Sequence, residues 1–283
     1  MPAAELSLGL TLAVLGAAFL HALWNAILKF GDGEPLLDMA LICWWSSVVA
    51  LLFLPFVAPP DPAAWPFMAV SAVIHFGYYV TLAGAYRHAD LSFAYPLMRG
   101  AAPMIVAMLG VVFLGERPGP AMMAGIALIS VGIVAIAWTS AGRHSRTAVA
   151  WALANAAIIA AYTLVDGAGV RASGSPGGYV SWLIFLEGLP FVAWIAFTRG
   201  RPAVDYVIVR WRRGILGGAA SLAAYAIALW AMTRAPVAAV AALREVSVVF
   251  AAIIGAVVLK EGFGWRRLAG AATVVAGVAA LKL

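Results

Sequence analysis

The run Ala94–Glu116, AYPLMRGAAPMIVAMLGVVFLGE, returns 145 positions later as Ala239–Glu261. Arg99 falls on Arg244, Gly110 on Gly255, Val112 on Val257, Leu114 on Leu259 and Glu116 on Glu261. Without a gap the register carries on through Gly119 and Gly264, Gly125 and Gly270, Gly132 and Gly277. A fixed offset that keeps an arginine, a glutamate and this many glycines marks a duplicated unit. The chain is expected to be two copies of one structure, residues 1–140 and 145–283.

What kind of unit it is follows from composition. Hydrophobic residues make up 65% of the chain and charged ones 11%, against roughly a quarter charged in soluble domains. A soluble core cannot hide that much apolar surface, so an all-α integral membrane protein is expected. Each helical crossing takes about 20 residues. The 283 residues then allow about ten transmembrane helices with short loops and no soluble domain. Cys43 is the one cysteine, which excludes an internal disulfide and a cysteine metal cluster. The net charge of +6 sits at span ends, so it reads as loop lysines and arginines and not as a nucleic-acid surface. Met1–Glu5 lacks the basic start and cleavage site of a signal peptide, so the first span is expected to be retained.

Pro, Gly and charge clusters divide each copy into five spans, with the Arg99 helix as the fourth and SAGRHSR as the joint between halves. RGRPAVDYVIVRWRR reads as the most basic loop. An odd number of spans makes consecutive copies enter the bilayer in opposite directions. The expected architecture is therefore two inverted five-helix repeats, a symmetry suited to alternating access. Arg117, Arg171, Arg234 and Lys282 lie on the side of the N-terminus, against twelve basic residues on the other side, among them Lys29, Arg143 and Lys260. The positive-inside rule then puts both termini outside.

The duplicated ten-span plan and the LGE…G…G and LKE…G…G stretches that end each repeat resemble the drug/metabolite transporter superfamily, EamA-type branch. The opening HALWNAILK, His21–Lys29, is similar to the first helix of many bacterial EamA-type proteins. The resemblance covers nearly the whole chain. It implies a multi-pass secondary transporter of the cell inner membrane, often an exporter of small metabolites, with no bound cofactor and a central cavity lined by both halves. It also implies that Glu116 and Glu261 hold the short turn between the last two spans of each repeat.

Ionisable and polar groups inside spans are costly and usually face a cavity or a partner. Arg99 and Arg244 carry planar forks that match carboxylate or phosphonate oxygens. Their alternatives are snorkelling to an interface or pairing with a glutamate. Adjacent helical residues do not face each other, which argues against Arg244 pairing with Glu245. Inversion suggests that the two arginines stand near opposite faces as two gate residues. His21, Trp24 and Asn25 share one face of the first span, as cavity wall or as interhelical hydrogen-bonding groups. Tyr162 matches Trp24 at an offset of 138, and Tyr225 matches Tyr79 at 146. His75, with Tyr78 and Tyr79 beside it, is either a proton relay or a packing group. Tyr95 opens the arginine helix. Glu187 reads as the deepest carboxylate, placed to bind an amine or a coupling proton, whereas Asp166 reads as a solvated acid near a span end. Gly125, Gly132, Gly270 and Gly277 permit close helix approach, suited to packing between subunits of a homodimer or to scaffolding of the cavity helices.

Together these features favour a secondary transporter of a small anionic or zwitterionic metabolite, such as an amino acid or an organophosphonate, run by a proton or a counter-substrate. A cationic-drug exporter is the nearest alternative, with aromatic walls and Glu187 as counter-charge. A lipid-processing membrane enzyme would need an acid and histidine cluster or a phosphate loop, and no such motif stands in the sequence. A non-transporting scaffold would not need charged residues inside its spans.

Overall fold

A computed structural model describes residues 7–29, 34–88, 91–138, 145–258 and 265–281. Met1–Glu5, Arg143, Leu259, Lys260, Glu261, Gly264 and Lys282 lie outside the described residues, and so do the expectations attached to them. The described chain is helical: α1 (Leu8–Lys29), α2 (Pro35–Phe53), α3 (Trp65–His88), α4 (Leu91–Phe113), α5 (Pro120–Trp138), α6 (Arg146–Ala172), α7 (Pro176–Arg199), α8 (Arg201–Val209), α9 (Trp211–Met232), α10 (Val237–Arg244), α11 (Ser247–Val258) and α12 (Trp265–Ala280). Ends follow ordinary capping chemistry. Ser145 and Ser175 accept from the backbone N–H three residues on, opening α6 and α7. Gly200, at φ +66°, closes α7 in a conformation that glycine adopts without a side-chain clash.

Among the described residues eight helical stretches are long and apolar enough to cross a membrane: seven are α1–α4, α6, α7 and α9, and the eighth runs over Val237–Ile254. Two further apolar helices are shorter, Pro120–Ile136 and Leu268–Ala280. The outer surface is apolar, with Phe197 90% and Phe56 83% exposed, as expected of a body whose solvent is lipid.

The two copies pack reciprocally. The first helix of each, α1 or α6, lies against the third long helix of the other, α9 or α3. The second helices, α2 and α7, pack on each other, as do the last, α5 and α12. The glycines expected to permit close approach do so at this last pair. A Cβ on Gly125 would stand 2.9 Å from the Gly277 carbonyl oxygen, and one on Gly132 would stand 2.7 Å from that of Gly270. Rising numbers on one helix meet falling numbers on the other, so α5 and α12 run antiparallel. Their glycine faces are spent on each other within one chain.

Three expectations on the elements change. The basic stretch after α7 is not all loop: its apolar residues form α8, which docks through Trp45 Nε1 donating to the Val207 carbonyl at 3.3 Å. The ninth span is not one helix. It breaks after eight residues, and Glu245 and Val246 form a turn between α10 and α11. Finally, α6 runs on to Ala172, leaving Asp166 six residues inside it.

Candidate functional site

Arg99 is the ninth residue of α4 and Arg244 the eighth of α10. At 1.5 Å per residue each lies about 10–12 Å along its helix. They do not stand as separate gates near opposite faces. Both reach one carboxylate. Arg99 Nε lies 2.6 Å from Glu245 Oε2, and Arg244 Nε lies 3.8 Å from Glu245 Oε1. The side chains are at most 3% exposed, which excludes snorkelling. Arg244 ends α10, and Glu245, still in αR conformation, opens the turn between α10 and α11; at 3.8 Å the two neighbouring side chains are close enough for an ion pair.

Arg99 turns a second nitrogen to His21. Its NH2 lies 2.8 Å from His21 Nε2, and its guanidinium carbon is 5.7 Å from the Tyr95 ring. Trp24 Nε1 lies 3.3 Å from His21 Nδ1. Arginine and tryptophan nitrogens only donate, and a neutral imidazole has a single lone pair. The shorter contact to Arg99 is thus the one hydrogen bond His21 can accept. Asn25 turns back on its own helix, its Nδ2 donating to the His21 carbonyl at 2.8 Å. Neither Asn25 nor Tyr95 lines the cavity.

Next to this ion cluster is a cavity of about 90 Å³, room for about six waters or one compact metabolite. Its walls come from both copies: His21 and Trp24 of α1, His75, Tyr78 and Tyr79 of α3, Tyr162 of α6, Glu187 of α7, Tyr225 of α9 and Arg244 of α10. Small residues on α2 complete it, among them Cys43 and Ser46. Ser46 and Ser47 hold α2 against α9 and α7 by donating to the Gly218 and Ile184 carbonyls.

Arg244 faces this space between two aromatic rings. Its guanidinium carbon is 5.7 Å from the Tyr225 ring and 6.0 Å from the Tyr162 ring, and its NH2 donates to the Tyr162 hydroxyl at 3.4 Å. Across the cavity, Glu187 Oε2 lies 3.1 Å from His75 Nδ1. The same nitrogen lies 3.0 Å from the Ser71 carbonyl. Two oxygens that can only accept place the ring proton on Nδ1. The His75 ring is stacked on Tyr162 at 4.2 Å.

Glu187 is not the deepest carboxylate: Asp166 and Glu245 are 0% and 1% exposed. Asp166 is no solvated loop acid. Oδ1 accepts from the Tyr179 hydroxyl at 3.0 Å, and Oδ2 accepts from that of Tyr225. The expectation rested on its place near a span end, next to Gly167 and Gly169. In the fold they admit neighbours. A Cβ on Gly167 would stand 2.6 Å from Val237 Cγ2, and one on Gly169 would strike the Tyr179 hydroxyl.

Below the cavity, the ends of α4, α6 and α9 meet the start of α10. Glu116 does more than hold its own turn. Its carboxylate accepts from Val237 N at 2.7 Å and Ala238 N at 3.4 Å, capping α10 in the other copy. It also pairs with Arg171 at 2.9 Å. Arg171 in turn donates to the Met232 and Ala235 carbonyls at 2.8 and 3.0 Å. Among the described residues no cluster of three histidine, cysteine or acidic side chains could hold a metal ion.

Comparison with known proteins agrees with this architecture. The model of the EamA-like transporter family matches residues 8–138 and again 146–283. Among curated proteins none gives a significant match. One solved structure, a crystal structure of a protein, superposes with a TM-score of 0.76 over 97% of this chain and 98% of its own. The two sequences are 20% identical, so the likeness speaks for the fold.

Proposed function

The chain belongs to the EamA-like transporter family, and we propose that it is a secondary active transporter of a small zwitterionic metabolite of the amino-acid type. The observation that carries this reading is that Arg244 and Glu187 line one cavity. A guanidinium fork suits a carboxylate or phosphonate, and Glu187 beside His75 suits an ammonium. Arg99 is engaged by the Glu245 carboxylate as an ion pair and by His21 and does not line the cavity, so its role is to position the cluster. The cationic-drug reading is weaker, because the ring faces of Tyr162 and Tyr225 are already taken by Arg244.

Alternating access between two inverted repeats of five crossings is the proposed mechanism. The antiparallel glycine contact of α5 and α12 and the reciprocal packing of the other helices support it. In this reading the shorter α5 and α12 also cross the bilayer, the inner membrane. No nucleotide-binding motif stands in the sequence, so an ion gradient or exchange drives the cycle.

Purified protein should be protected against heat by amino acids, and less by the amine or the acid that carries only one of the two groups. Uptake of a labelled amino acid into liposomes should follow the same order. Protection by quaternary ammonium compounds with none by amino acids would reverse the assignment.

A further inference from the structure

We propose that Asp166 is a proton-binding site that couples the proton gradient to opening of the bundle at the end where α6 meets α10. The proposal rests on the transporter reading above, and its first readouts do not depend on a transported substrate.

Asp166 joins three helices through its two oxygens: its own α6, α7 through Tyr179 and α9 through Tyr225. These two partners are phenols, and the Ser71 hydroxyl also faces it. No arginine, lysine or histidine among the described residues forms an ion pair with it. A buried carboxylate without a cation is costly to keep charged. The other groups facing it are Ser71 of α3, Glu187 of α7 and Arg244 of α10. On its own helix Tyr162 lies against Tyr225, with ring centres 6.5 Å apart. Arg99 of α4 is committed to Glu245 and His21. The Ser71 hydroxyl lies 3.1 Å from His75 Nδ1, which is itself 3.1 Å from Glu187. Hydroxyl, imidazole and carboxylate thus form a polar path from the cavity to Asp166.

The two protonation states demand different hydrogen bonds. As carboxylate, Asp166 accepts from both phenols. When it takes a proton from hydronium, an O–H bond breaks there to leave water, one forms on the carboxyl, and that oxygen becomes a donor. One phenol must then turn its own O–H elsewhere. Tyr179 is 0% exposed and packed on Gly169. Tyr225 lines the cavity and is the one able to turn. Its movement releases α9 from α6 five residues before Arg171, which ties the same two helices. Proton binding therefore loosens one closed end of the bundle, and release of the proton restores the carboxylate.

The test uses the full-length protein with the proton as probe. Infrared difference spectra between acid and alkaline buffer should show the C=O stretch of a buried carboxyl. Asp166→Asn should remove that band and Glu187→Gln should keep it. Ser173→Cys, beyond the end of α6, in a Cys43→Ala background should label about tenfold faster at acid pH once each rate is divided by that of a free thiol at the same pH, which removes the thiolate titration, as loss of a hydrogen bond to a charged group implies. That acceleration should vanish in Asp166→Asn. Tyr225→Phe keeps the carboxylate, so its band should stay while labelling loses its pH dependence, and it serves if the asparagine variant does not fold. A band that persists without Asp166, or labelling that still follows pH in Tyr225→Phe, overturns the proposal. If both proton readouts behave as expected and no amino acid binds or moves, the substrate reading fails while the proton site stands.

Discussion

The contact between Arg99 and Glu245 allows a quantitative test of what holds the centre together. Both side chains are at most 3% exposed, with nitrogen and oxygen 2.6 Å apart. Removing one partner of a buried pair leaves an uncompensated charge and costs about 3–5 kcal/mol. At about 2–4 °C per kcal/mol for a chain of this size, Glu245→Gln or Arg99→Met should each lower the apparent melting temperature by about 6–20 °C. The double variant removes both charges of this pair and leaves only Arg244 without the carboxylate, so its loss should fall short of the sum. A coupling energy of about 3 kcal/mol is expected. Cys43 supplies the assay, being the one cysteine and buried: a thiol-reactive dye reports its exposure on heating. Single losses that add to within about 0.5 kcal/mol would refute the argument and leave Arg99 as a packing residue.

The two arginines should separate by function. Arg244→Lys keeps charge but loses the fork, so amino-acid protection should disappear while the melting temperature holds; Arg99→Lys should lower the melting temperature. Glu187→Gln removes the partner for an ammonium, and binding competition should then favour the simple carboxylic acid over the amino acid by more than tenfold, the scale of a lost buried charge pair of about 2–5 kcal/mol. Gly132→Leu forces a side chain into the Gly270 backbone and should destabilise by at least the about 1–3 kcal/mol of an overpacked core, read by the same dye. On α8, outside the spans, burial and the Asp38 carboxylate that accepts its O–H push the Tyr206 phenol from its ordinary 10 up to about 12. The raised value favours the neutral phenol in the fold. Its contribution is full below pH 10 and is lost as pH rises through 12. Melting curves of Tyr206→Phe should lack that alkaline step, and an unchanged step would remove Tyr206 as its source.

The glycine register of α5 and α12 was legible because close helix packing is written as spacing, and Gly125 through Gly277 carry it without interruption. Arg99, Arg244, Glu187 and the cavity tyrosines stood out because charge and polarity are rare in spans. What stayed hidden depends on tertiary partners. Nothing between Leu243 and Ser247 breaks a helix by its own propensity; the turn goes with Glu245 facing Arg99 on another element. Gly167 and Gly169 could mean a loop or a close approach, and only Val237 and Tyr179 decide between them. Tyr206 and Val207 were masked by the arginines around them, although their apolar neighbours suffice for a short helix.

The break that isolates α10 also makes it a rigid part. It is eight residues long, about 12 Å, and every residue in it is buried. The Glu116 carboxylate sits on its positive end, and Arg244 sits on its negative end, so both poles of the peptide dipole are matched. A rod gripped along its whole length cannot bend to absorb a load. It can only slide or tilt. A displacement at Arg244 would therefore be delivered to Val237 and on to Glu116 and Arg171. The short helix has the geometry of a push-rod, with the cavity arginine at one tip and the ties between the two copies at the other.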